Sequence, residues 1–141
     1  MSRLLMPNGD DHPEAAHKHL LDAAVLLSQQ RPDGAGYLSG YVVECALKSL
    51  YVLETGKALT GHNFETLMKQ VSAVATVAGA KSARYFGAVT TGVPASAIRS
   101  WTPEMRYRSP SMTPGDAQIW YSCALEVFQE TVHQMRLDGM L

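Results

Sequence analysis

Apolar and polar residues alternate with the period of an α-helix along most of this chain. The pattern predicts four main helices, at about residues 13–30, 35–55, 64–78 and 114–137, and a short additional helix at residues 80–88. No stretch shows the strict alternation that is typical of a half-buried β-strand. The sequence therefore predicts an all-α fold, an up-and-down bundle of four to five helices.

Local signals define the ends of these helices. Pro13 suits a first helical position, Gly56 suits a helix end, and Asn63 is a good N-cap for the helix that follows it. Residues 89–114 are rich in Gly, Pro, Ser and Thr and are predicted to form a long loop, and loops of this length are usually functional or mobile. There is no repeat or linker, so the 141 residues are predicted to form one domain, residues 1–141, with its core at about residues 13–137.

The apolar stripes predict which side of the outer helices is buried. In the first helix the stripe contains Ala16, Leu20, Ala23 and Leu27. In the last helix it contains Trp120, Ala124, Val127, Phe128, Thr131 and Met135. Cys45 and Cys123 also fall on apolar sides, and we expect two buried free thiols rather than a disulfide.

The second helix is apolar around most of its circumference, apart from one narrow stripe. With residues placed 100° apart, the stripe contains Tyr37, Gly40, Tyr41, Glu44, Lys48, Tyr51 and Thr55. Such a helix packs on several sides, so the charges of Glu44 and Lys48 must either pair or face a cleft. An internal ion pair that fixes the helix register, a polar cleft with tyrosines on its rim, and plain surface exposure are three alternatives.

A second cluster of candidate functional side chains lies in the segment Trp101-Thr-Pro-Glu-Met-Arg-Tyr-Arg-Ser109. Arg106 and Arg108, beside Trp101 and Tyr107, could bind a phosphate by bidentate contacts while an aromatic ring stacks on a base. Alternatively, Trp101 packs onto the bundle and Arg106 ties the segment to Glu44. The two interpretations are compatible, because an arginine that orders a loop also shapes the cleft beside it.

Composition and charge narrow the class of protein. Hydrophobic residues make up 46% of the chain and charged residues 18%, which is typical of a globular protein. The net charge of −1 gives no overall basic excess for nucleic acid or anionic membranes, although local patches are compatible with it. No apolar run suits a signal peptide or a membrane span, so we expect a cytoplasmic protein without membrane association.

The five histidines do not predict a metal centre. His12 and His19 lie about two helical turns, or ~10.5 Å, apart, which is too far for both to reach one metal ion. Gly34-Ala-Gly36 lacks the preceding strand of a phosphate-binding loop, and no metal or cofactor is expected. His62 precedes a helix cap and is expected to make a turn or capping contact, but it is also kept, with Arg106, as a candidate catalytic residue.

Three segments resemble the HEPN domain family, in its prokaryotic form associated with nucleotidyltransferases. They are Ala35-Gly-Tyr-Leu-Ser-Gly-Tyr-Val-Val-Glu-Cys-Ala-Leu-Lys-Ser-Leu50, Gly61-His-Asn-Phe-Glu-Thr-Leu67, and Trp101 with Met105-Arg-Tyr-Arg108. The resemblance extends from about Pro13 to Met135, with the elements in the family's order. It implies a helical bundle, usually a homodimer with a cleft at the interface. It also implies work on RNA or nucleotides, often beside a small nucleotidyltransferase in a toxin–antitoxin-like pair.

Many members of that family are metal-independent ribonucleases, with an arginine followed after four to six residues by a histidine. Here the positions at that spacing after Arg106 and Arg108 are occupied by Ser111, Met112, Thr113, Pro114 and Gly115. The segment Lys57-Ala-Leu-Thr-Gly-His62 has the spacing, but with lysine in place of arginine and in a different part of the chain.

Because this spacing of arginine and histidine is missing, the resemblance favours a non-catalytic module that binds a nucleotide, RNA or a partner protein. The predicted ligand-binding residues are Tyr41, Glu44, Lys48, Tyr51, Arg106 and Arg108. One alternative is a ribonuclease whose base has moved to His62 or Glu44, and another is a structural or interaction protein whose cleft is only an ion-pair network.

Overall fold

The computed structural model describes residues 1–141, except for the side chain of Ala88, and confirms the all-α fold. The α-helices are α1 (His12–Ser28), α2 (Pro32–Thr55), α3 (Phe64–Ala75), α4 (Gly87–Ala95), α5 (Pro114–Phe128) and α6 (Gln134–Leu137). Short 3-10 helices occupy Ala83–Tyr85, Ala97–Ser100 and Pro103–Tyr107, and a π-helical turn at Gln129–His133 joins α5 to α6. The described part of the chain contains no strand.

Helix α2 is the central helix of the bundle. It packs against α1, α3 and α5, and its residues 42–50 are all buried. Gly56 ends the helix in the left-handed conformation, with φ of +68°, which glycine adopts without steric cost. Asn63 caps α3 as predicted, because its side chain accepts a hydrogen bond from the backbone N–H of Thr66 at 3.0 Å.

The predicted buried faces agree with the structure, except at one position. All six apolar-stripe residues of the last helix are buried, while in α1 Ala16, Leu20 and Ala23 are buried and Leu27 is only half-buried. Cys45 and Cys123 are buried and free, as expected. Residues 114–137 form the predicted last helix, but it contains the π-helical turn, which the sequence pattern did not indicate.

The prediction of a long loop at residues 89–114 is wrong. Helix α4 and two 3-10 helices occupy most of this segment, because Val89, Val93 and Ile98 are fully buried in the core. Burial of these side chains outweighs the weak helix propensity of the surrounding Gly, Thr and Pro residues. The short helix expected at residues 80–88 is reduced to the 3-10 turn Ala83–Tyr85, and α3 ends at Ala75 rather than near residue 78.

Helix α2 also begins earlier than predicted, at Pro32. The glycines that suggested a turn lie inside the helix and permit close packing. A Cβ atom at Gly36 would collide with the side chain of Met112, and one at Gly34 would press against Leu26. Among the described helices, none combines the length and the apolarity that a bilayer crossing requires.

Candidate functional site

Trp101 anchors the arginine-containing segment to the bundle. Its side chain is buried, its Nε1–H donates a hydrogen bond to the carbonyl oxygen of Tyr37 at 2.9 Å, and its ring lies against Gly40. The indole stacks on Phe64, with ring centroids 5.1 Å apart, and meets the edge of Tyr41 at 4.9 Å. Trp101 therefore packs onto the bundle, and its faces are not available to a nucleic-acid base.

Glu44 and Lys48 form the internal ion pair that the helical stripe predicted as one alternative. Their residues are only 4% and 8% exposed, and Lys48 Nζ donates to Glu44 Oε1 at 2.7 Å. A buried pair of this kind is stable only while both charges are present, since either one alone would be left desolvated and unpaired.

His62 is the second partner of Glu44. Its Nδ1 lies 2.9 Å from Oε2 and 3.1 Å from Oε1 of that carboxylate. The expected capping role is therefore wrong, because Asn63 caps α3 and His62 instead contacts a residue eighteen positions earlier in the chain. The His62 side chain is 54% exposed, so the ring reaches from the buried carboxylate to the surface. No periodicity in the sequence could have indicated this long-range contact.

Arg106 does not tie its segment to Glu44, as one interpretation of the sequence expected. It lies on the surface of the 3-10 helix Pro103–Tyr107, and its Cζ is 4.8 Å from the centroid of the Tyr107 ring. Interactions with the side chains of Tyr107 and Tyr37 raise the pKa of Arg106, so the guanidinium stays charged. Among the described ion pairs, none joins Arg106 to a carboxylate.

Tyr41 is partly buried and lies next to Tyr37. Its Oη is 3.3 Å from that of Tyr37, and burial together with that contact raises the pKa of Tyr41 to about 12. Glu44 contributes to this rise and Arg106 opposes it, so the tyrosine lies within electrostatic range of both. Tyr41 is therefore a neutral hydrogen-bonding group at physiological pH.

The remaining predicted ligand-binding residues have different surroundings. Tyr51 is partly buried and packs against the hydrophobic core. Arg108 is exposed, next to Tyr107, whose side chain is among the most exposed large apolar groups at 77%. The structure therefore places Arg106, Tyr107 and Arg108 together on the surface, while the Glu44–Lys48 pair is buried. Tyr107 was part of the sequence motif but not of the predicted ligand-binding set.

A small pocket lies beside this surface. Its volume is about 200 Å³, and it is lined by His62, Asn63, Trp101, Thr102, Pro103 and Glu104. Interactions with its own backbone amide and with the Thr102 side chain lower the pKa of Glu104, and the charge of Arg106 acts in the same direction. Glu104 is therefore ionised near neutral pH. No pattern in the sequence indicated Glu104 as part of a site.

No group of three or more His, Cys, Asp or Glu side chains in the described chain is arranged to hold a metal ion. What the arrangement offers is a charged arginine, an exposed aromatic ring and a polar pocket. Arginine binds phosphate by paired N–H donors, and an exposed tyrosine can stack on a base.

Comparison with known proteins gives a single positive result. The model of the HEPN domain family matches residues 10–135, which is most of the chain. Neither the curated proteins nor the solved structures contain a match to this chain. Since the family model covers far more than half of the sequence and the fold is all-helical, the protein belongs to the HEPN domain family, whose domains are nucleotide- and RNA-related modules.

Proposed function

We propose that this protein is a non-catalytic HEPN-type module that binds RNA or a nucleotide through its phosphate groups. The observation that carries the proposal is Arg106, an exposed and charged guanidinium without a carboxylate partner among the described ion pairs. Arg108 adds a second positive charge, and the exposed ring of Tyr107 offers a stacking platform. This local basic surface is compatible with the net charge of −1, because only the charges near the bound phosphates matter at short range.

The other predicted ligand-binding residues have a supporting role in this proposal. Glu44 and Lys48 are too buried to contact an RNA chain, and both oxygens of Glu44 are already engaged. They hold His62 at the edge of the pocket. Tyr41 and Tyr51 are partly buried and pack against the hydrophobic core.

The absence of catalysis is proposed from the sequence. The family's ribonucleases need a histidine at a fixed spacing after an arginine, and the positions after Arg106 and Arg108 hold Ser111, Met112, Thr113, Pro114 and Gly115. We also propose that the protein forms a homodimer and pairs with a nucleotidyltransferase in a toxin–antitoxin-like system. Both proposals rest on the family resemblance alone.

The test is an anisotropy titration of a labelled single-stranded RNA with the wild-type protein and with Arg106→Ala. Loss of the guanidinium should weaken binding about ten-fold or more, because a phosphate contact is removed. The matched control is Arg136→Ala, since Arg136 lies elsewhere and pairs with Glu14 at 3.0 Å. Equal binding by the wild type and Arg106→Ala would refute the role of Arg106. A drop in the urea midpoint of Arg106→Ala would instead assign it a structural role.

A second candidate function is a metal-independent ribonuclease, and one contact favours it. The buried Glu44 carboxylate holds His62 Nδ1, which is how a carboxylate orients a histidine that acts as a general base. Incubation of RNA with the protein in a chelating buffer tests this candidate. Cleavage that disappears in both His62→Gln and Arg106→Ala would establish the ribonuclease and overturn the non-catalytic proposal. Absence of both cleavage and binding would instead favour a purely structural or interaction role.

A further inference from the structure

The pocket next to Arg106 has the size of one ring system. Its volume of about 200 Å³ lies below the ~300–1,000 Å³ of pockets that hold drug-sized ligands. A protein cavity of ~150 Å³ is enough to bind benzene. The pocket can therefore take one base of an RNA chain, while the sugar and the phosphates remain outside.

Two polar side chains of the pocket, Glu104 and Asn63, have a fixed donor or acceptor role toward a ligand, whereas His62 and the hydroxyl of Thr102 can each donate or accept. Glu104 is ionised, so its two carboxylate oxygens only accept hydrogen bonds. The side-chain oxygen of Asn63 is already occupied by the N–H of Thr66, which leaves the amide NH₂ group as the donor available to a ligand. The pocket thus combines a pair of acceptors with at least one donor.

Guanine is the RNA base that matches this set. Its Watson–Crick edge carries two adjacent donors, N1–H and the 2-amino group, next to the acceptor O6. Adenine and cytosine place a ring-nitrogen acceptor beside their single amino group, so they would set a lone pair against the carboxylate. Uracil offers one N–H between two carbonyl oxygens. Only guanine can donate to both oxygens of Glu104 while accepting from Asn63.

We propose that this pocket selects a guanine base, with Glu104 accepting from N1–H and the 2-amino group and Asn63 donating to O6. The inference rests on the proposed function and names the base specificity of the same site. Glu104 and Arg106 are two residues apart on one 3-10 helix, where the rise is ~2.0 Å per residue, so one strand can reach both. Buried Trp101 fixes this helix against α2, which holds the two contacts at a constant separation.

The test compares single-stranded pentanucleotides of uridine whose central base is guanine, hypoxanthine, adenine, cytosine or uracil. Binding is measured by competition against one labelled RNA. A site built to pair with donor groups rejects ligands that lack them. We therefore expect the guanine oligonucleotide to bind at least about ten-fold more tightly than the adenine, cytosine and uracil oligonucleotides. Hypoxanthine, which lacks only the 2-amino group, should bind with intermediate affinity.

Glu104→Gln is the variant that isolates the proposed contact. Glu104 is exposed, so this change should leave the urea midpoint unchanged, while the preference for guanine over uracil disappears. The matched control is Glu126→Gln, an exposed glutamate on α5 that does not line the pocket. It should retain the full preference.

The outcomes separate this inference from the proposed function. Equal affinity for all five oligonucleotides, a preference for another base, or a guanine preference that survives Glu104→Gln would each overturn the guanine pocket while the RNA-binding module stands. Absence of binding to every oligonucleotide would overturn both.

Discussion

The indole ring of Trp101 occupies the space in which any residue other than glycine at position 40 would place its Cβ atom. This contact brings the segment that carries Arg106 directly onto the backbone of α2. It explains how a surface segment made of short 3-10 turns is held in a defined position.

Replacement of Gly40 by alanine should destabilise the protein by about 1–3 kcal/mol, because the buried indole must move to admit the new methyl group. RNA binding should weaken as well, since Trp101 anchors the arginines. Urea denaturation and an anisotropy titration measure the two effects. The matched control is Gly115→Ala on α5, where the added Cβ would make only an ordinary contact, 3.8 Å from Thr113 Oγ1. Equal stability of the two variants would contradict this account of Trp101.

Two glutamate–lysine pairs with the same i,i+4 spacing allow a direct test of burial. Glu44→Gln should lower the free energy of unfolding by about 1–3 kcal/mol, because it leaves the charge of buried Lys48 without its partner. Glu65→Gln removes the exposed partner of Lys69 and should change stability by less than about 0.5 kcal/mol. Urea denaturation of both variants checks the difference. A similar small effect for both would mean that the Glu44–Lys48 pair is hydrated in solution.

The salt dependence of RNA binding should report the number of phosphates that the arginines contact. For single-stranded RNA, the slope of log K against log salt concentration is about −0.7 per neutralised phosphate. Arg106→Ala and Arg108→Ala should each make the slope shallower by about 0.7, and the double variant by about 1.4. Titrations at four or five salt concentrations provide the slopes, with Arg136→Ala as the control. Slopes identical to that of the wild type would show that neither arginine contacts phosphate.

Stability should fall as the pH drops below the ordinary pKa of histidine. Burial and the nearby charge of Lys48 lower the pKa of His12, and burial and Lys18 lower the pKa of His19. Between the unfolded value of 6.5 and the lowered folded values, the unfolded chain binds more protons, so the free energy of unfolding rises with pH. The contribution is present in full above about pH 6.5 and is lost progressively below it.

Urea midpoints at about pH 7.5, 6.5, 5.5 and 5 test this dependence. His12→Gln and His19→Gln should each flatten the profile, because a neutral side chain replaces a group that resists protonation in the fold. His133→Gln, at an exposed position, is the control. If stability does not change over this range, His12 and His19 do not titrate differently in the folded and unfolded states.

The helical periodicity of this sequence determined the all-α fold and most of the buried face of each long helix. That information is local: the spacing of Ala16, Leu20 and Ala23, or the cap at Asn63, concerns residues within a few turns of one another. The pairing of Glu44 with Lys48 was among the predicted alternatives for the same reason, since i,i+4 neighbours meet on any helix.

Contacts between distant segments were decided only by the tertiary structure. Helix α4 forms in a segment rich in Gly, Thr and Pro because Val89 and Val93 are buried by the rest of the bundle. The packing of the helices against one another brings His62 to Glu44 and places Glu104 in the pocket. It also gives Glu44 the partners Lys48 and His62 rather than Arg106. Packing free energy is summed over the whole core, so no local pattern in the sequence contains it.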